Sequence, residues 1–368
     1  MCRIGAIKSQ HYIHLSATLK LMRSQQKGYD NSGFAIVAQD LGGIFEKYKN
    51  FPILSLAGNN KAVEITEKYT QSLGFSKVFQ YKMEVNNNEK LNIEPLENYI
   101  FIAYEYPKNY ENSTKEQKEN LLLDTRLKLR ELLSENDDGY VYSFYENVIS
   151  LKEIGSPVDI GKYFNLFGDK VDIKAKILTV QCRQNTNYDI VRYAAHPFFL
   201  SGYTTLTNGE NTFYEKNKLA LKPLYKGYIG FESDSQCFLY TLHYAHKILK
   251  WPIEYYKHIL TPLSWDEMQA REDKEVLTRI RMSMANFEIN GPNATIGVLP
   301  DGTMINVMDS KKLRPVVVAK DKDIAIITSE ITGVNELLPN RDINKDIYTN
   351  ERETIVIDNN LNIKRIKQ

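Results

Sequence analysis

A cysteine directly after the initiator methionine is the residue in this chain best placed to act as a nucleophile. Methionine aminopeptidases remove Met1 when the next side chain is small, so the mature chain is expected to begin at Cys2, with a thiol and a free α-amine on one residue. The thiolate is a strong nucleophile, and an α-amine with a reference pKa of about 8 can take the thiol proton near neutral pH. A cysteine here is more often a small, partly buried residue with no such task. The placement gains weight only from what stands further along the chain. The other thiols, Cys182 and Cys237, make no C-x-x-C spacing with it, so neither an iron–sulfur cluster nor a structural zinc site is expected from this chain alone. His243 and His246 are three apart on a helix-like run, but no acidic or cysteine partner stands near them in sequence. Packing or surface roles are expected for them, and no metal.

Elements must bring such groups together, and the chain is long enough to bury a sizeable core in one large domain or two: it has 368 residues. With 47 basic and 46 acidic side chains, no electrostatic footprint for nucleic acid or membrane is present. No apolar stretch of about 18 residues and no signal peptide is found, and the sparse cysteines suit a reducing cytosol, so a cytoplasmic protein is expected. The 24 tyrosines, against two tryptophans, are expected mostly at the core edge with wetted or bonded hydroxyls. Residues 2–7 read as a strand. The run 14–25 reads as a helix through Leu15, Thr18, Leu19 and Met22, and 33–38 as a second strand. The stretch 50–110 mixes strand-like pieces with polar turns. A helix follows, opened by a Ser113/Glu116 capping pattern, striped by Leu122, Leu129, Leu132 and Leu133, and stopped at Asp137-Asp138-Gly139. Residues 174–181 form a strand that delivers the chain to Arg183, and 235–249 a helix with Phe238, Leu242, Ala245 and Leu249 on one face. Short β runs at 294–299, 303–308, 315–319 and 324–328 follow, the first two joined by a Pro300-Asp301-Gly302 turn. Strands at both ends with helices between them predict an α+β arrangement of layered sheets and helices, and no G-x-G-x-x-G or P-loop sequence supports a nucleotide fold.

Four segments carry a resemblance. Lys27-Gly28-Tyr29-Asp30-Asn31-Ser32-Gly33 resembles RGxDSxG. Arg183-Gln184-Asn185-Thr186-Asn187 with Ala195-His196-Pro197-Phe198 is similar to RFSTN…A-x-P-F. Thr207-Asn208-Gly209-Glu210-Asn211-Thr212 is similar to HNGEINT, with Thr207 where His is usual and one residue fewer. Glu232-Ser233-Asp234-Ser235 resembles an SDS segment. With Cys2 they make the chain resemble the class II glutamine amidotransferases, which are N-terminal-nucleophile (Ntn) hydrolases. The resemblance implies that Cys2 attacks the glutamine side-chain amide, and that Asn208 and Gly209 form the oxyanion hole. It implies that Arg183 and Thr186 hold the substrate α-carboxylate and that Asp234 accepts from the α-ammonium. Residue chemistry agrees: a guanidinium fork suits a carboxylate, and an Asn NH2 beside a Gly N–H suits an oxyanion. Each piece has a plainer alternative. Asn-Gly is a common hairpin turn, Asp234 would make a good helix N-cap, and an Arg at this position can be an ordinary surface residue.

The carboxy-terminal third narrows the resemblance. Asn290-Gly291-Pro292, Asp301-Gly302, the run from Asp309 through Arg314-Pro315, and Ser329-Glu330 follow the DGP…DG…DRNGLRP…SE order of the glutamate synthase amidotransferase branch. The fold implied is the four-layer αββα sandwich with two antiparallel sheets, a single glutamine amidotransferase type 2 domain over 1–368 with a divergent insertion at about 45–150. The activity implied is glutamine hydrolysis to glutamate and ammonia through a Cys2 thioester. Ammonia would pass to separate glutamate synthase-type subunits, which would carry the FMN and iron–sulfur groups; no cofactor is expected in this chain. An N-methylglutamate synthase-type partner is the runner-up. Another Ntn amide hydrolase acting on bile-acid or penicillin-type amides suits the set Arg183, Thr186 and Asp234 less well, because those substrates lack a free amino-acid end. A non-catalytic regulatory subunit stays open through Thr207 and the insertion. A phosphoribosyl amidotransferase fits less well, since little chain remains for a second catalytic domain.

Overall fold

The protein is described by a computed structural model covering residues 2–26, 30, 32–91, 93–168, 170–185, 190–225 and 233–367. The first third runs β1 (Arg3–His14), α1 (Ser16–Arg23), β2 (Phe34–Gly43), β3 (Pro52–Gly58), α2 (Asn60–Ser72), β4 (Ser76–Lys82) and β5 (Asn98–Glu105). The middle holds α3 (Lys115–Ser134), β6 (Gly139–Glu146), β7 (Val148–Glu153), α4 (Pro157–Tyr163), β8 (Ile173–Cys182), β9 (Phe198–Leu200), β10 (Tyr203–Gly209), α5 (Tyr214–Leu221) and α6 (Gln236–His243). Three short helices follow: α7 (Tyr256–Leu260), α8 (Trp265–Gln269) and α9 (Lys274–Ser283). The chain closes with β11 (Asn293–Val298), β12 (Met304–Met308), β13 (Val317–Lys320), β14 (Ile324–Thr328), α10 (Ile331–Leu337), β15 (Ile347–Tyr348), β16 (Thr354–Ile357) and β17 (Ile363–Ile366).

Two antiparallel sheets face each other. One has the order β15-β13-β14-β1-β8-β2-β7, the other β17-β16-β12-β11-β10-β9. Side-chain alternation along β1 shows how the layers form. Ile4 and Ala6 point into a shared core with Leu206, Ile296, Val298 and Ile327 from both sheets. Gly5 and Ile7 point the other way, toward α1, whose Leu19, Leu21 and Met22 are fully buried. A side chain on Gly5 would collide with Leu21 and Met22, so the glycine lets α1 lie directly on the strand. On the outer side of the second sheet, α6 lays Phe238, Leu239 and Leu242 against β9 and β10. Burying each such side chain is worth about 1.5–3 kcal/mol. The architecture is thus α+β and four-layered, αββα, as expected.

Residues 52–146 build a third antiparallel sheet, β4-β5-β3-β6, with α2 and α3 packed on its Leu54, Leu56, Ile100 and Ile102 face. Its last strand turns at Asn147 straight into β7 of the first sheet. The sequence reading missed α2, whose buried face is Ala62, Thr66 and Thr70 and so shows little apolar periodicity. Asn59 caps it by accepting from Ala62 N, and the Thr66 and Thr70 hydroxyls donate back to carbonyls four residues earlier. The capping box of α3 is Thr114/Gln117, one residue beyond the expected Ser113/Glu116. Leu132 is only partly buried, while Leu122, Leu129 and Leu133 form the stripe. The expected helix over 235–249 is α6 continued by a π-helical turn, Tyr244–Ile248. Among the described residues no helix is long and apolar enough to cross a membrane.

Candidate active site

Strand register brings the start of the chain to the end of β8. Arg3 pairs with Cys182, and Cys182 also pairs with Phe34 at the start of β2. Cys2 therefore lies beside the segment that follows β8. Its Sγ is 3.3 Å from the Gln184 N–H, which donates to it, and 3.4 Å from the Gln184 carbonyl, to which the thiol donates.

Arg183–Asn185 is held from below by the Asp-x-Ser-Gly stretch. Arg183 N donates to Gly33 O at 2.7 Å, and Ser32 Oγ donates to Arg183 O at 2.7 Å. Asn185 N donates to Ser32 Oγ at 2.8 Å and to Asp30 Oδ2 at 3.0 Å, while Asp30 Oδ1 accepts from Ser32 N. A Cβ on Gly33, at φ 154°, would stand 3.0 Å from the Ala195 methyl, so the tight approach favours glycine. The Arg183 guanidinium, almost wholly buried, donates to Asn185 Oδ1 at 2.9 Å. Asp30, Ser32 and Gly33, noted in the sequence only for their motif resemblance, thus clamp the Arg183 segment. Lys27, Gly28, Tyr29 and Asn31 of that motif, and the predicted site residue Thr186 with Asn187, lie outside the described residues, as does Glu232.

The second sheet supplies Asn208 and Gly209 at the end of β10, paired with Ala294 and Asn293 of β11. Gly209 has φ 154°, and a Cβ there would lie 1.9 Å from the Pro292 carbonyl oxygen, so strand packing alone demands glycine. Asn208 is 1 % exposed, and its Nδ2 has no hydrogen-bond partner among the described residues. Asp234 is also buried. Its Oδ2 accepts from Asn211 N at 2.7 Å, and its Oδ1 from the Ser233 and Ser235 hydroxyls at 3.3 and 3.2 Å. The N-cap alternative is not what forms: the carboxylate faces the turn after β10, and α6 begins without a side-chain cap.

Electrostatics tie three of these groups together. Burial pushes the Cys2 thiol up, against the Gln184 N–H and the Arg183 guanidinium, which pull it down; the Asp234 carboxylate pushes it further up. Burial also raises the Asp234 carboxyl, opposed by the Asn211 N–H and the Ser235 and Ser233 donors. A partly buried thiol thus stands within the fields of one guanidinium and one carboxylate.

Sequence reasoning gave no task to the polar residues that join the two sheets here. Gln181 Nε2 donates to Thr207 O at 3.2 Å and to His196 Nδ1 at 2.9 Å, and Gln181 Oε1 accepts from His196 N at 2.6 Å. Thr207 Oγ1 donates to Ser235 Oγ at 2.7 Å. Lys152 Nζ, fully buried, donates to Tyr193 O at 3.1 Å and Ala195 O at 2.6 Å, bracing the main chain before His196. Arg126 of α3 reaches the same place, donating to Tyr193 Oη at 2.7 Å and Phe199 O at 2.6 Å. His243 and His246 pack against tyrosines, with Nδ1 atoms 2.9 and 2.8 Å from Tyr225 and Tyr203 Oη. A cavity of ≈ 450 Å³ opens beside Asp234, lined by Glu210, Asn211 and Thr212 among others. Another, of ≈ 330 Å³, lies near Lys8, about 20 Å along β1, and includes none of these residues.

No protein-family model matches the chain. In sequence it is similar to an uncharacterized protein of Archaeoglobus fulgidus, 26% identical over 304 residues that make up 82% of this chain and 78% of that protein. Among solved structures it is similar to the allosteric regulatory enzyme of purine biosynthesis, with a TM-score of 0.48 and 13% identity, covering 100% of this chain and 49% of that one. It is also similar to glutamine phosphoribosylpyrophosphate amidotransferase from B. subtilis, with a TM-score of 0.43, 13% identity, and the same 100% and 49% coverage. A third is a glutamine aminotransferase class-II domain protein from Silicibacter pomeroyi, with a TM-score of 0.36 and 10% identity, covering 59% of this chain and 83% of that one. The chain spans about half the length of the first two structures.

Proposed function

We propose that this chain is a class II glutamine amidotransferase that hydrolyses L-glutamine to glutamate and ammonia. The observation that carries the reading is the Cys2 thiol bonded to the Gln184 main chain while the Arg183 guanidinium and the Asp234 carboxylate both act on it. After removal of Met1, the Cys2 α-amine takes the thiol proton and Sγ attacks the amide carbon of glutamine. The carbonyl oxygen becomes an oxyanion that the Asn208 NH2 and Gly209 N–H stabilise. The C–N bond breaks and the amide nitrogen leaves as ammonia with the transferred proton. Water then hydrolyses the γ-glutamyl thioester, freeing glutamate and the thiol. Arg183, with Thr186, takes the substrate α-carboxylate, and Asp234 the α-ammonium. A substrate that ends in an α-carboxylate and an α-ammonium is chemically matched to one buried cation, Arg183, and one buried anion, Asp234.

The acceptor is a separate glutamate synthase-type subunit, a reading supported by the order of turn motifs from Asn290 to Glu330. The test is glutamate release from glutamine by the purified chain, alone and with flavoprotein synthase subunits and 2-oxoglutarate, beside the Cys2→Ala variant. Turnover that vanishes in Cys2→Ala, together with a mass lacking Met1, is the expected result. Glutamine hydrolysis that survives the substitution, or a retained Met1, overturns the mechanism.

A further inference from the structure

The end of β10 is only half supported by strands. β9 pairs with β10 through Tyr203–Leu200, Thr204–Phe199 and Thr205–Phe198, and there the pairing stops. Continuing the same register places Thr207 opposite His196, but the chain has left the sheet at Pro197. Both main-chain polar groups of Thr207 on that edge are nevertheless satisfied by side chains. Thr207 N donates to His196 Nδ1 at 3.2 Å, and Thr207 O accepts from Gln181 Nε2 at 3.2 Å. Gln181 and His196 are themselves locked together by their two mutual bonds. Thr207 is the residue before Asn208, whose Nδ2, without a partner among the described residues, is the side-chain donor assigned above to the oxyanion.

We infer that His196 is a positioning residue: its Nδ1 replaces the missing strand partner of Thr207 and thereby fixes the aim of the Asn208 amide. The inference rests on the amidotransferase reading for its catalytic consequence, though not for the hydrogen bond itself. Nδ1 receives two donors, so it carries no proton; the proton sits on Nε2, which faces Ser233 Oγ at 3.5 Å. Burial, with Arg183 and Lys152 nearby, holds the imidazole well below its usual pKa, so it stays neutral and does not serve as a proton carrier.

The experiment compares His196→Asn with His196→Gln. Asn Oδ1 is as many bonds from Cβ as His Nδ1, and so can accept from Thr207 N; Gln Oε1 reaches the Nε2 position instead. In steady-state glutamine hydrolysis His196→Gln is expected to lose about 10- to 100-fold in kcat, part of the full cost of losing an oxyanion donor, with KM within about threefold. His196→Asn is expected to recover most of kcat. The acid limb of the pH profile is expected to keep its apparent pKa in both variants. Hydrogen exchange followed by mass spectrometry over the peptide spanning 203–209 reads the bond directly, with protection lost in Gln and kept in Asn. That second measurement stands even if the wild-type chain proves not to hydrolyse glutamine, which would overturn the function and not the bond. Wild-type kcat in His196→Gln, equal losses in the two variants, a shifted acid limb, or unchanged exchange in His196→Gln would each overturn the inference.

Discussion

Asn208→Leu separates a catalytic asparagine from a structural one, because the two roles predict stability changes of opposite sign. The Asn208 side chain is buried at the end of β10, and its Nδ2 finds no partner among the described residues. A buried donor left unsatisfied costs about 1–3 kcal/mol, and replacing it with an apolar group of similar shape removes that cost. Leucine branches at the same carbon and has nearly the same outline, so the fold is expected to be unchanged or up to about 2 kcal/mol more stable. For a chain of this length, at about 2.1 cal/mol/K per residue, each kcal/mol moves Tm by about 1 °C, so denaturant midpoints are the better readout. Turnover should move the other way. Losing one oxyanion donor costs about 10²–10³ in kcat, with KM nearly unchanged because the ground-state carbonyl needs that donor far less than the oxyanion does. The assay is glutamate release at saturating glutamine, beside urea unfolding of the same preparation. Retention of wild-type turnover, or destabilisation beyond about 2 kcal/mol, would refute the reasoning and make Asn208 a structural residue.

Two further outcomes test other parts of the molecule. Arg183→Lys keeps the charge but loses the planar fork, so the KM for glutamine is expected to rise about 10- to 100-fold with kcat falling far less; an unchanged KM would remove the α-carboxylate role from Arg183. His243, buried with Nδ1 on Tyr225 Oη, has its pKa lowered to about 4, chiefly by burial and then by Lys247. The unfolded chain takes up a proton there below about pH 6.5 that the native chain refuses until about pH 4, so this stability is present above pH 6.5 and lost as pH falls. His243→Gln is therefore expected to flatten the stability–pH slope between pH 6.5 and 5 by about 1.4 kcal/mol per unit, read from urea unfolding at three pH values. Parallel slopes for variant and wild type would show that His243 is not held neutral.

The two main sheets were largely legible because their strands announce themselves. β8 and β11–β14 are apolar or alternating runs bounded by turn residues, and the expected spans match the observed ones within two residues, whereas β1 and β2 start where expected but run seven and five residues further, to His14 and Gly43. What failed had a physical cause. α2 hides its buried face behind threonines that satisfy their own hydroxyls on the helix backbone. Two overlapping capping patterns, Ser113/Glu116 and Thr114/Gln117, compete for one helix start; Ser113 N is drawn into a turn with Tyr110 O, and Thr114 becomes the cap. Nothing in a strand's own pattern says which sheet it joins, so the separate β4-β5-β3-β6 sheet could not be read from sequence. At the candidate site, Cys2, Arg183, Asn208, Gly209 and Asp234 could be singled out by residue type and local motif. Their supports, Gln181, His196 and Lys152, could not, because a buried polar partner is chosen by register between distant strands.

The glycines and the charged residues of the site call for different explanations. Gly33 and Gly209 are accounted for by close contacts with Ala195 and with the Pro292 carbonyl, and neither requires catalysis. Close packing of that kind does not account for burying Arg183, bonded to Asn185, and Asp234, bonded to Asn211, Ser233 and Ser235, or for the Asn208 Nδ2, which has no partner among the described residues. Buried charge and unsatisfied donors are unfavourable to folding by several kcal/mol together. A fold that keeps them does so at the converging ends of β1, β8 and β10, the one place where the start of the chain, with its thiol, also arrives. A ligand with a carboxylate, an ammonium and a carbonyl that gains negative charge would answer all three groups at once. That distribution of cost, beside the motifs, is the physical ground for proposing a free amino-acid amide as the substrate.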